Sequence, residues 1–131
     1  MYLIYDSRKS REKNNAGTIA FHYKDEFQFD HSDQPRLHAP SLTQSDGVLL
    51  VWGEAAEDWC AAEFEQMFRL ANQSRSKGLC LFDPIGPKLE LARSIRERFG
   101  SIHVSEQFGT FDPIRLEPFF APLRRLNGES A

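Results

Sequence analysis

Cysteine is scarce in this chain: Cys60 and Cys80 are the only two among 131 residues. Two thiols cannot build a disulfide scaffold, nor by themselves the four-ligand shell of a structural zinc. Both read as small buried hydrophobes of a reduced protein. Basic charge is not in excess. The 16 Lys and Arg face 19 Asp and Glu, a formal net charge of −3, so the broad positive field of a nonspecific nucleic-acid binder is missing. No apolar run approaches the roughly 20 residues of a membrane span. The opening Met1-Tyr2-Leu3-Ile4-Tyr5-Asp6 has neither a basic n-region nor a long apolar stretch, so it does not read as a secretory signal. These absences predict a cytoplasmic domain with no membrane and no nucleic-acid partner. There is no Gly-rich phosphate loop of the Walker or dinucleotide type. His22, His31, His38 and His103 are scattered. His31 and His38, beside Asp30 and Asp33, read as part of a solvated acidic loop, so no metal is expected.

What the chain does have is phenylalanine: 11 Phe against 3 Tyr and 2 Trp. Its length fits one domain with a real core, expected over residues 1–128 with 129–131 as a frayed tail. The strongest apolar run, Gly47-Val48-Leu49-Leu50-Val51-Trp52, is short, β-branched and bounded by Ser45-Asp46 and Gly53. It reads as a strand buried on both faces of a parallel sheet. Tyr2–Tyr5, Thr18–Phe21, Leu79–Phe82 and Ser101–Val104 complete a predicted set of five strands.

Helices are predicted between the later strands. From Asp58 to about Ser76, Cys60, Phe64, Met67, Phe68 and Ala71 fall on one helical stripe. Pro87 opens a second helix, buried through Leu91, Ala92, Ile95 and Phe99 and stopped at Gly100. Asp112-Pro113 opens a third, which Pro118 and Pro122 should split into two short pieces. Alternating strands and helices predict a flavodoxin-like three-layer α/β fold with a parallel sheet in the order 2-1-3-4-5. The functional crevice of such a sheet lies at the carboxyl ends of its strands. That places Asp6-Ser7-Arg8, Gly53-Glu54 and Asp83-Pro84 at the candidate edge.

The first half fits this plan less well. Only Asp6 to Gly17 would join the first two strands, leaving about two turns of helix. Lys24 to Arg36 is polar and acidic yet carries Phe27 and Phe29, which alternate with polar residues as in an edge strand or hairpin. Read as exposed, these two rings suggest a partner surface.

One hexapeptide stands out: Trp59-Cys60-Ala61-Ala62-Glu63-Phe64, a short loop after the central strand and opening a helix. Glu63 lies four residues after Trp59, on the same face and flanking the apolar stripe. A carboxylate beside an indole at a crevice can hold ribose hydroxyls or stabilise a cationic transition state; it can equally be a solvated helix Glu beside a packed Trp. A receiver domain, of the same length and strand order, is set aside because the third strand ends Trp52-Gly53-Glu54, with no Asp.

Trp59-Cys60-x-x-Glu63-Phe64 after Val48–Val51 resembles the opening of the helix after the central strand in TIR (Toll/interleukin-receptor) domains of bacterial type. Tyr2-Leu3-Ile4-Tyr5-Asp6-Ser7-Arg8-Lys9-Ser10 resembles that family's first box. Phe111-Asp112-Pro113-Ile114 and Pro118–Leu123 resemble its C-terminal segment. The likeness spans Leu42 to Leu126 well and the first half only at the first strand. Ser10 stands where the family has an acid, the first helix reads as a remnant, and the usual loop after the second strand is replaced by Lys24 to Arg36. The resemblance implies a domain that cleaves the nicotinamide–ribose bond of NAD in bacterial defence or signalling. Glu63 would then be catalytic, with Asp6, Ser7, Arg8, Trp52 and Trp59 as ligand-binding residues. NAD would be substrate, with no resident cofactor. The alternative it implies is a noncatalytic interaction module that assembles with itself or a partner chain.

Overall fold

Buried at every one of its six residues, Gly47–Trp52 is the axis of the structure. The computed structural model describes residues 2–6, 8–27, 29–32, 46–53, 56–70, 75–83, 86–98 and 102–128. In chain order its elements are β1 (Tyr2–Ile4), α1 (Ser10–Tyr23), β2 (Asp30–Ser32), β3 (Gly47–Trp52), α2 (Glu57–Leu70), β4 (Ser76–Phe82), α3 (Pro87–Arg98), β5 (His103–Gln107) and α4 (Pro113–Gly128). The strands form a parallel sheet. β1 lies against β3 with Tyr2 opposite Val48, and β4 lies on the other side of β3 with Leu50 opposite Leu79. β5 pairs with β4, and the three-residue β2 pairs with the free side of β1.

Helices cover both faces, and the period-two alternation of the strands decides which side chain meets which helix. Tyr2, Ile4, Val48, Leu50, Trp52, Leu79 and Leu81 face α2 and α3, meeting Cys60, Phe64, Met67, Ala92 and Ile95. Leu3, Leu49, Val51, Cys80 and Phe82 face α1 and α4, meeting Ile19, Tyr23, Leu116, Phe119 and Phe120. No polar residue interrupts β3, because neither of its faces reaches water. This is an α/β architecture with a parallel sheet between two helical layers.

The first helix is not a remnant. Thr18–Phe21, read above as a strand, lies inside α1, which runs unbroken for 14 residues. Its buried residues are Glu12, Ala16, Ile19 and Tyr23, at i, i+4, i+7 and i+11. That long-period stripe outweighs the local β-propensity of Thr-Ile and Phe, which reflects packing more than the backbone. Phe27 and Phe29 are corrected too. Both are partly buried against the α1–α4 side of the core, and the Phe27 ring stacks on Phe120 at 5.1 Å. They close the end of α1 rather than offering a surface.

Three boundaries also move. α4 is one helix through Pro118 and Pro122. Each proline removes one helical hydrogen bond, but the buried stripe Leu116, Phe119, Phe120 and Leu123 spans the interruption and holds both sides to one sheet. The Ser76 hydroxyl anchors it further, donating to the Phe119 carbonyl at 2.7 Å. β4 begins at Ser76, where the preceding helix was expected to end, with Ser76 paired opposite Gly47 at the start of β3. β5 runs on to Gln107, past polar residues that read as a strand's end. Gln107 is fully buried and satisfied: its amide nitrogen donates to Ser105 Oγ and to the Asp112 carbonyl, and its oxygen accepts from Asp112 N–H at 2.7 Å. Gly100 and Ser101, and the tail from 129, lie outside the described residues.

Arg124 ties α4 to the end of α1. Its Nε donates to Glu26 Oε2 at 2.6 Å, and a second nitrogen donates to Glu117. The three side chains are partly exposed, so solvent screens the pair. Arg124→Ala is expected to cost no more than about 1 kcal/mol, with an unchanged m-value in urea unfolding.

Candidate functional site

Parallel strands bring their carboxyl ends to one edge, so Asp6 after β1, Gly53 after β3 and Asp83 after β4 arrive together there. Asp6 is buried, and its two oxygens accept from the Arg8 guanidinium at 2.8 and 2.9 Å while Oδ1 also accepts from the Arg8 backbone N–H. Those bonds hold the carboxyl below its ordinary pKa against the opposing effect of burial. The Arg8 side chain remains 73% exposed, a cation fixed at its base and open to solvent. Ser7, the residue between them, lies outside the described residues.

Asp83 is the one described non-glycine residue with a left-handed backbone, φ 52°, a conformation Asp tolerates better than most residues. Its Oδ1 accepts from Gly109 N–H at 3.0 Å and its Oδ2 from Arg11 at 2.5 Å. The backbone bond from Gly109, helped by Arg11, holds its carboxyl below the usual range. Asp83 therefore links the edge of β4 to α1 and to the loop after β5. Pro84 and Glu54 lie outside the described residues.

A fully buried carboxylate at this edge was not singled out in the sequence. Glu12 is fully buried and accepts from Gly53 N–H at 2.7 Å. On the other face of the sheet, Lys88 Nζ donates to the Gly53 carbonyl at 2.5 Å and to the Phe82 carbonyl at 2.6 Å. Burial lowers the Lys88 pKa, while Glu12 and Asp83 oppose the shift. Both residues left a signal. Glu12 sits on the apolar stripe of α1, hidden while that helix was read as a stub. Lys88 follows the Pro87 N-terminus, where the helix dipole disfavours a cation, so a specific partner was to be expected.

Glu63 lies on α2 one turn after Cys60 and is partly buried. One of its carboxylate oxygens is shielded from solvent. Cys60 is buried, which pushes its thiol pKa up, and the charges of Glu12, Lys88 and Glu63 all reach it. Trp59 is half-buried against the α2–α3 side of the core. Trp52, expected as a stacking ring, is instead a core residue: it is fully buried, with Lys88 Nζ 5.4 Å from its ring centroid. A strand buried on both faces leaves its last indole no route to a ligand. The edge thus brings together the Asp6–Arg8 pair and the Glu12–Gly53–Lys88 contacts, with Glu63 and Trp59 on the adjoining helix. Among the described residues no group of three His, Cys, Asp or Glu is placed to hold a metal ion, and no helix is long and apolar enough to cross a membrane.

No protein-family model matches this chain, and neither a curated protein nor a solved structure does. What can be said of its chemistry therefore rests on these residues.

The charges at the edge and on the outer strand set an acid response. His103 is partly buried, which lowers its pKa from 6.5. Asp6 and Asp83 are lowered from 3.8, and Glu26, through its bond to Arg124, from 4.5. For each group the unfolded chain takes up its proton first, so stability falls as pH falls. The contribution of His103 is lost below about pH 6.5, and those of the carboxylates below about pH 4. Urea midpoints taken from pH 7.5 to 3 should decline in these two stages, and His103→Gln should remove the upper one.

Proposed function

We propose that this chain is a TIR-like domain, its strands in the flavodoxin-like order 2-1-3-4-5, that holds NAD at the carboxyl edge and cleaves the nicotinamide–ribose bond with Glu63. The observation that carries this reading is the enclosure of the Glu63 carboxylate. A helix Glu serving only solubility would turn both oxygens to water; this one shields an oxygen from solvent, and its charge reaches the buried Cys60 thiol. In the proposed reaction, ionised Glu63 accepts hydrogen bonds from the nicotinamide ribose diol. As the C–N bond breaks, its electron pair leaves with neutral nicotinamide, and Glu63 stabilises the oxocarbenium-like charge left on the sugar. Water then adds to that carbon and loses a proton, giving ADP-ribose. Arg8, fixed by Asp6, offers its exposed guanidinium to a phosphate oxygen. Trp59 is the remaining aromatic candidate beside Glu63. A bacterial defence or signalling setting belongs to the same proposal.

The test is release of nicotinamide by the purified chain at high protein concentration, with and without crowding, and its disappearance in Glu63→Ala. A second reading, a noncatalytic module that assembles with itself or a partner chain, is favoured by one feature. Phe21 is 70% exposed and borders a shallow groove on α1 lined by Ser10, Lys13, Asn14, Gly17 and Thr18. A monomeric Phe21→Glu variant of an otherwise self-associating chain would support that reading; unchanged association would remove it.

A further inference from the structure

The Gly53 peptide is held from opposite faces of the sheet. Glu12 reaches it from α1, which packs on one face, and accepts from its N–H at 2.7 Å. Lys88 reaches it from α3, which packs on the other face, and donates to its carbonyl at 2.5 Å. The same ammonium donates to Phe82, the last residue of the neighbouring strand, at 2.6 Å. A Cβ at position 53 would collide with Glu12 Oε1 and press on Asn15 Nδ2 at 3.3 Å, so any larger residue there requires the Glu12 carboxylate to move. Gly53 directly follows β3 and is separated from α2 by three residues, so whatever fixes it fixes the approach to the helix that carries Cys60 and Glu63.

We propose that Glu12 and Lys88 are positioning residues, clamping the Gly53 peptide across the sheet edge and thereby holding the first turns of α2, with Cys60 and Glu63, against that edge. The charges suit this role. A carboxylate is the strongest acceptor available to a buried N–H, and an ammonium can bridge two carbonyls that end adjacent strands. The consequence for NAD cleavage rests on the function proposed above; the clamp itself does not.

Cys60 provides the readout, and Cys80 the internal reference. Both thiols are buried, but Cys60 lies beside the clamp and Cys80 lies in the opposite core. In native buffer, iodoacetamide labelling of each thiol is followed by peptide mass spectrometry. Glu12→Ala and Lys88→Met are expected to speed labelling of Cys60 roughly tenfold by opening the edge locally, with Cys80 unchanged. Glu12→Gln, which keeps an acceptor for the Gly53 N–H, should stay near the wild-type rate. Cys60 labelling unchanged in Lys88→Met, or Cys60 and Cys80 rising together in every variant, would overturn the proposal. If Glu12→Ala does not fold, Lys88→Met decides. Where the wild-type chain releases nicotinamide, Lys88→Met should lower kcat with little change in KM; an equal loss through KM alone would count against positioning. Where it releases none, the proposed reaction fails and the labelling ratio still judges the clamp.

Discussion

Gly78→Ala is expected to destabilise the fold by about 3 kcal/mol, lowering the midpoint of thermal unfolding by roughly 10 °C. Gly78 is buried in β4, between β3 and β5. A Cβ there would stand 2.7 Å from Phe119 Cδ1, 3.1 Å from the His103 carbonyl oxygen and 3.1 Å from Leu49 Cδ1. None of these can yield cheaply. The His103 oxygen is backbone of the paired strand. The Phe119 ring packs edge-on against Phe120 at 5.0 Å, and Phe120 in turn stacks on Tyr23 at 4.0 Å. A methyl group at position 78 would therefore push α4 off the sheet and disturb the contact between Ser76 and the Phe119 carbonyl. The small gain from a stiffer unfolded chain, under about 1 kcal/mol, does not offset this. Gly17→Ala is the control. It lies on the exposed side of α1 with no atom within 4 Å of the added Cβ, and alanine in a helix interior should stabilise by about 0.5–1 kcal/mol. Differential scanning calorimetry of the two variants should give shifts of opposite sign.

The α/β plan was legible because its strongest signals are unambiguous at short range. Six buried residues in a row at Gly47–Trp52 admit only an enclosed strand, and Pro87 and Asp112-Pro113 mark helix starts by their own covalent chemistry. What misled was local propensity where the deciding pattern was longer. Thr18-Ile19-Ala20-Phe21 looks extended over four residues and helical over fourteen, and the helical reading depends on a charged residue, Glu12, occupying an apolar position. The polar strands were invisible for a related reason. Asp30–Ser32 is held by backbone pairing with β1, and in β5 the buried Gln107 is satisfied by Asp112 of the loop before α4 and itself donates to Ser105; neither fact leaves an apolar pattern behind. The prolines of α4 failed as breakers because Phe119 and Phe120 lie between them and are sequestered in the core.

The phenylalanine excess has a corresponding explanation. Phe27, Phe29, Phe82, Phe111, Phe119 and Phe120 all belong to, or pack against, the core between the sheet and the α1–α4 layer. That layer is where α1 and α4 must be joined, and aromatic rings fill the wedge between them. The exposed large apolar residues are elsewhere: Phe21 on α1, and Phe108 and Ile114 around the start of α4. The candidate site was half legible. Glu63, Trp59 and the Asp6–Arg8 pair sit at or beside the carboxyl edge as the strand order predicts, whereas Trp52 is consumed by the core. Glu12 and Lys88 needed the tertiary structure, since they meet at the Gly53 backbone and are 76 positions apart in the chain.

Glu63→Gln is the substitution on which the proposed activity turns. Glutamine keeps the size of the side chain and its ability to accept from a ribose hydroxyl, but it removes the negative charge that faces the developing oxocarbenium ion. Loss of one preorganised electrostatic contact of this kind costs about 10²–10³ in rate. Folding should be nearly untouched, because Glu63 flanks the apolar stripe of α2 instead of belonging to it. The most direct measurement is the time course of nicotinamide and ADP-ribose formation from NAD by the wild-type chain and by Glu63→Gln, both folded by circular dichroism, at equal and high concentration. Equimolar products are expected from the wild type, and a fall of at least about 100-fold in the variant. Folded wild-type protein that forms neither product in any assembly state, or a Glu63→Gln variant that cleaves NAD at the wild-type rate, would contradict it.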